Sequence, residues 1–246
     1  MRTKIINSQV NIEGVVIPIE VFREFRIDVR MAMRHDKIIV RIPLHFGKSD
    51  LKRTIEQAKE WVKVHFRNNS NLKSKYETKE YKSGEELVIN GTTFKIEINE
   101  CHVNNYKAEL IEKIIQINIP KDSEKLERKE AIVYLLSRIT GQYFLSEVTE
   151  RIYDLNKKHF RVKINDVKMK YNKTNWGSRS TKNNINISTR LLFAPKDVQD
   201  YVFIHELAHF FEMNHSKRFW DIVGKIMPDY KEKERWLKIN SAKCDF

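Results

Sequence analysis

The sequence predicts an α+β protein in two parts: a β-rich region over residues 1–120 with one helix near 50–66, then a domain over 121–246 made of a long helix, a small sheet and C-terminal helices. Three observations carry this reading. Through the first 120 residues apolar and polar side chains alternate, the period of half-buried strands. After Pro120 the apolar residues recur at three-, four- and five-residue intervals, which is the helical pattern. Further on, "DYVFIHELAHFFEMNHSKRFW" sets His205, Glu206, His209 and His215 within eleven residues of what otherwise reads as an apolar helix.

In chain order, "RIDVRMAMR" places Ile27, Val29, Met31 and Met33 on one face of a strand, and "HDKIIVRIP" follows as its hairpin partner after a tight His35-Asp36 turn. Ser49 and Asp50 are N-cap residues for a helix that aligns Leu51, Ile55, Ala58, Val62 and Phe66. "RNNSN" at 67–71 ends that helix in a surface loop. "EELVINGTTFKIEI" reads as two strands joined by Asn90-Gly91, a pair that favours two-residue hairpin turns, and "YKAELIEKIIQINIP" as two more, closed by Pro120. No internal repeat or low-complexity tract is expected.

Beyond Pro120, Ile132, Leu136, Ile139, Tyr143, Val148, Ile152 and Leu155 mark one long helix or two in sequence, with Gly141 as the weak point. "FRVKINDVKMKY", "NWGSRS" and "NINIS" are three short strands, and Pro195-Lys196-Asp197 opens the helix that holds the histidines.

Composition narrows the setting. With 41% hydrophobic and 32% charged residues, the chain contains no apolar run near the roughly 20 residues that span a bilayer. The start "MRTKIINSQVNIEG" lacks a secretory apolar core, and two distant cysteines form no disulfide framework, so the expected location is the cytoplasm and no membrane partner is expected. A formal charge of +13 favours polyanions, so nucleotides or nucleic acid are expected as partners. The lysines are spread rather than blocked, so charge alone does not choose among them.

His205 and His209 stand four apart and therefore on one helix face, where two imidazoles can each aim a nitrogen at one ion about 2 Å away. Glu206 is rotated about 100° from His205, off the ion but within reach of a water there. This is the H-E-x-x-H arrangement of zinc hydrolases, with the glutamate as base. A catalytic zinc takes a third protein ligand and keeps an open position. His215 is the candidate, but ten helical residues advance about 15 Å, so the helix must stop soon after His209 and turn back. Asn214 tolerates the left-handed backbone of such a stop, and Ser216 suits the N-cap of the next helix, on which Phe219 and Trp220 read as core. Asp221 is a candidate partner for a ligand imidazole, and Tyr230 and the arginines for an oxyanion.

"NWGSRS", "INISTRLLFAP", the histidine stretch and "MPDYKEKERWLK" occur in the order and spacing of YgjP-like zinc metallopeptidases, relatives of the SprT and WLM proteases, and the sequence resembles that family in detail over about 122–243. The resemblance implies a zincin fold, one zinc ion on His205, His209 and His215, Glu206 as catalytic base, and cleavage of peptide bonds. It also brings Trp176, Gly177 and Ser178 into a family signature. Trp176 and Ser178 are candidates to line a groove that holds substrate as an added strand; the plainer role for Trp176 is a core plug. Arg179 stands where the family's W-G-S-C-S motif has cysteine, and Ser188 where asparagine is common. Glu212 stands where metzincins carry glycine, which separates the chain from that group.

Two further functions remain compatible with the same residues. A phosphoanhydride could replace the peptide as electrophile, making a nucleotide pyrophosphatase, although no glycine-rich phosphate loop of the Walker type is present. The surplus charge could instead tether a protease to nucleic acid, or the zinc could be structural.

Overall fold

The computed structural model describes residues 3–12, 15–34, 37–67 and 79–246. Two units with separate cores emerge, Met1–Thr78 and Lys79–Phe246.

The first unit is a four-stranded sheet of β1 (Thr3–Ile12), β2 (Val15–Glu24), β3 (Arg30–Met33) and β4 (Ile38–Pro43), in the order β1-β2-β4-β3, followed by α1 (Lys48–Arg67). Period-2 patterning decides the faces: Ile17, Ile19 and Val21 are fully buried while their neighbours face out. Helix α1 buries Thr54, Ala58, Val62 and Phe66 at four-residue spacing. It begins at Lys48, ahead of the expected caps. The Gly47 N–H donates to the Asp50 carboxylate (3.2 Å), so Asp50 caps from inside the first turn, in the manner of half a capping box.

The strand expected from Ile27 starts only at Arg30, and Ile27 is 95% exposed. Arg26 closes a local loop instead, donating to the Asp28 carbonyl (2.6 Å) and carboxylate (2.8 Å). The hairpin pairing itself forms, with Met33 opposite Ile38. Its His35-Asp36 turn, and the loop beyond Arg67, lie outside the described residues.

The second unit opens with β5 (Glu86–Ile89), β6 (Thr92–Cys101), β7 (Lys107–Ile111) and β8 (Ile114–Pro120), in the order β5-β6-β8-β7. Asn90 (φ 52°) and Gly91 (φ 78°) form the expected two-residue turn, both with the positive φ that such a turn needs. The pairings match the first sheet one for one: antiparallel, then parallel, then antiparallel. A helix follows each sheet. The chain thus contains a repeated ββββα element, contrary to the expectation of no repeat. "KIIVRIP" in the first copy corresponds to "KIIQINIP" in the second, one residue longer.

The second helix, α2 (Lys125–Leu155), is continuous. Gly141 does not break it; a Cβ there would lie 2.7 Å from Thr189 Cγ2, so the glycine permits close packing. Ile132, Leu136, Val148 and Ile152 share one core with Leu87, Phe94, Ile96, Ile115 and Ile117 of the sheet. For this reason the units divide at residues 78 and 79 rather than near 121: the change of texture after Pro120 marks a change of element within one core.

The chain leaves α2 through a π-turn, Asn156–Phe160. The three-stranded sheet follows, with β9 (Asp166–Lys170), β10 (Gly177–Arg179) and β11 (Asn184–Ser188) in the order β10-β11-β9, which leaves β10 at an edge. After a 3₁₀ turn come α3 (Lys196–Ala208), α4 (Lys217–Ile226) and α5 (Tyr230–Asn240). Lys233 joins α5 to the start of α3 through Asp197 (2.6 Å) while also holding Asp229 (2.9 Å). Among the described residues no helix is long and apolar enough to cross a membrane.

Candidate active site

Helix α3 is apolar nearly all round because sheet, α2 and the later helices cover it; Val202, Phe203, Ile204, Leu207 and Ala208 are buried. It ends at Ala208, with His209 as its C-cap. The chain reverses over 209–216, and the Ser216 side chain accepts from the Phe219 N–H to start α4. This is the reversal the spacing requires. Asn214, however, is not among the residues with positive φ, so the turn is not made by a left-handed asparagine. Backbone bonds make it instead, from the Phe211 and Glu212 N–H groups to the Ala208 carbonyl and from the Ser216 N–H to the Asn214 carbonyl.

The reversal brings His215 back to the first two histidines. The donor atoms of His205, His209 and His215 lie within 4.8 Å of one another, and the Nε2 atoms of His205 and His215 are 2.9 Å apart. The His209 Nδ1 faces the Glu212 carbonyl at 3.0 Å, which makes Nδ1 the protonated nitrogen and leaves Nε2 a lone pair. Burial and the two neighbouring imidazoles push His205 down to about 3, so it too is neutral near pH 7. Three imidazoles whose donor atoms converge within 4.8 Å of one another form the donor set that a divalent zinc-like ion takes, so the residues present fit such an ion.

Beneath them sits Phe219, fully buried, its ring centroid 4.8 Å from His205 and 4.7 Å from each of His209 and His215. Trp220 is partly buried and packs beside the His205 and His215 rings.

Glu206 is 4% exposed. Burial raises its carboxyl to about 8, partly offset by a hydrogen bond from the Arg179 backbone. Strand β10 passes so close that a Cβ on Gly177 would lie 2.7 Å from Glu206 Oε1. Gly177 therefore leaves the room that the carboxylate occupies. A carboxyl held near neutrality can take up and return a proton, the property of a general base and acid.

These groups open into a cavity of about 650 Å³ whose lining includes Trp176, Ser178, Tyr201 and Leu237. Both predicted groove residues are thus at the cleft. Trp176 also packs on the core, and its ring lies 4.9 Å from the guanidinium of buried Arg190. Arg179 lines the cavity but is turned toward the reversal loop, bonding the Asn183 side chain, with its guanidinium 4.6 Å over the Phe210 ring. Tyr230, a candidate oxyanion donor, does not line the cavity, and Asp221 is exposed, with the Glu212 carbonyl in the role expected of it for His209. Sequence reasoning missed that carbonyl because a backbone acceptor carries no residue signal. It also assigned no place at the cleft to α5, which forms a wall with Glu234, Leu237 and Lys238.

The model of the YgjP-like metallopeptidase domain matches residues 26–240. The chain belongs to that family. As a YgjP-like protein it is a metallopeptidase, a metal-dependent hydrolase. No curated protein matches it significantly. Among solved structures it is similar to the metallopeptidase zymogen abylysin of Pyrococcus abyssi, at 25% identity and TM-score 0.34, over 37% of this chain and 92% of that one. It is also similar to the zymogen jannalysin of Methanocaldococcus jannaschii, at 21% identity and TM-score 0.33, over 37% and 92%.

Proposed function

We propose that this YgjP-like protein is a zinc-dependent peptidase in which His205, His209 and His215 hold one zinc ion and Glu206 is the catalytic base. The observation that carries the reading is the convergence of three imidazoles beside a buried carboxyl at the floor of one cleft. Zinc bound there would supply Lewis acidity toward a water and a substrate carbonyl. Glu206 would accept the proton of the attacking water and return it to the leaving amine, and Gly177 keeps its place open. The edge strand β10 would align the substrate backbone, with Trp176 and Ser178 along its path. A peptide or unfolded protein is preferred over a nucleotide as substrate because the family is one of peptidases. Both cysteines are free, which suits a reducing cytoplasm.

The test is purified protein with its metal measured. Wild type is expected to bind one zinc and cut an unfolded protein or peptide, and a chelator to abolish cleavage. Glu206→Gln should keep the metal and lose about 10²- to 10⁴-fold in rate. Equal cleavage by wild type and Glu206→Gln on every substrate tried would refute the assignment.

A further inference from the structure

On helix α5, Lys231, Glu234, Arg235 and Lys238 recur at intervals of three and four and so share one face. With Trp220 and Tyr230 they line a second cavity of about 490 Å³. Glu234 and Lys238 line this cavity and the cleft above the histidines alike, so the two adjoin at that pair. Lys238 and Glu234 neutralise each other at 2.9 Å. Lys231 and Arg235 are exposed and form no ion pair among the described residues. The shelf therefore presents two uncompensated cations next to the place where substrate would lie.

We propose that this shelf binds an acidic side chain of the peptide substrate, outside the bond being cut, and so selects substrates with Asp or Glu there. The proposal rests on the peptidase reading of the cleft. Charge complementarity identifies the occupant. A nucleobase fits less well because the aromatic surface is already taken. Trp220 is stacked on Tyr230 at 5.1 Å and 15°, and lies against His215 at 5.8 Å and 29°. Tyr230 in turn packs on Gly224, where an added Cβ would be 3.4 Å from its ring. Stacking platforms for single strands need an open ring face. What the shelf still offers is cationic donors, the chemistry of a carboxylate partner.

The experiment uses full-length, zinc-loaded protein and peptide sets that differ only in Glu, Gln or Lys at one position, scanned along the peptide. Binding is read by fluorescence anisotropy on Glu206→Gln, and kcat/KM on wild type. In at least one register the Glu peptide should bind about five- to tenfold tighter than the Gln peptide. The difference should shrink at about 0.5 M salt. In the double variant Lys231→Glu, Arg235→Glu, whose substituted side chains are solvent-exposed, the Lys peptide should become the preferred one. Equal binding of the three peptides in every register overturns the proposal, as does a preference that survives the double charge reversal. Displacement of the peptides by a single-stranded oligonucleotide whose tighter binding is lost in the double variant also overturns it and assigns the shelf to nucleic acid. Cleavage without charge preference leaves the peptidase reading standing and the shelf refuted. Charge-selective binding without cleavage does the reverse.

Discussion

At Phe219 a fully buried ring touches all three imidazoles of the cluster while offering them no hydrogen bond. Its contribution is to restrict where the rings can point, because an imidazole backed by a packed aromatic has few alternative rotamers. Replacing it with leucine keeps an apolar core but removes the flat support. Phe219→Leu is expected to remain folded and to bind zinc about tenfold more weakly, in the range seen when supporting groups around a metal are lost. Competition with a chromophoric chelator measures this, and an unchanged affinity would remove Phe219 from the metal site. Phe219→Ala should in addition cost about 3–5 kcal/mol of stability, read by urea unfolding. At this scale the pairing of His205 with His209 was legible in the sequence because H-E-x-x-H spacing translates directly into one helix face. The turn between His209 and His215 was legible as a necessity but not in its means. The backbone bonds and the Glu212 carbonyl that shape it leave no trace in residue identity, and the expected left-handed Asn214 is absent.

At the level of elements, one contact sets how closely α2 approaches the turn that leads into the histidine-bearing helix α3. Gly141 lies in the middle of α2, and an alanine Cβ there would meet Thr189 Cγ2 at 2.7 Å, with Met169 Cβ at 3.5 Å. Thr189 is buried and holds Ser137 Oγ at 3.3 Å, so it cannot simply swing away. Two effects oppose each other in Gly141→Ala: alanine favours the helix by about 1 kcal/mol, while overpacking costs about 1–3 kcal/mol. The single variant is expected to be destabilised by about 1 kcal/mol in urea unfolding. Adding Thr189→Ser removes the clashing methyl and keeps the hydroxyl, so the double variant should recover at least that amount, a coupling that a double-mutant cycle isolates. Additive effects would show that the helix relaxes around the new methyl. Sequence reading took the same glycine as a weak point in the helix. Propensity alone supports that reading, and only the neighbouring turn, 48 positions away in sequence, shows that the residue serves packing.

Over the whole molecule, the repeated ββββα element explains why the boundary was misread. Each copy has the same strand order and the same sequence of pairings, but the exposed faces of strands tolerate wide substitution, so the likeness survives mainly in "KIIVRIP" and "KIIQINIP". The alternation of each strand was readable, and so was the Asn90-Gly91 turn, because both are local. Which sheet shares a core with α2 and α3 was not, since that depends on contacts distant in sequence. The first sheet packs with α1 in its own core, whereas Leu87, Ile89, Phe94, Ile96, Ile115, Ile117 and Ile119 of the second belong to the core of α2 and α3. Gln199 near the start of α3 reinforces this by donating to the Asn90 side chain at 3.1 Å. Removing seven such residues forfeits roughly 10–20 kcal/mol of apolar burial at about 1.5–3 kcal/mol each, at least as much as the net stability of a typical domain. A fragment of residues 79–246 is therefore expected to unfold cooperatively and to bind zinc, while 121–246 should show no cooperative transition and should bind dyes specific for exposed apolar surface. Circular dichroism and calorimetry on the two fragments decide the matter. If 121–246 unfolds with the same midpoint as 79–246, the second sheet is an accessory and the boundary belongs after Pro120.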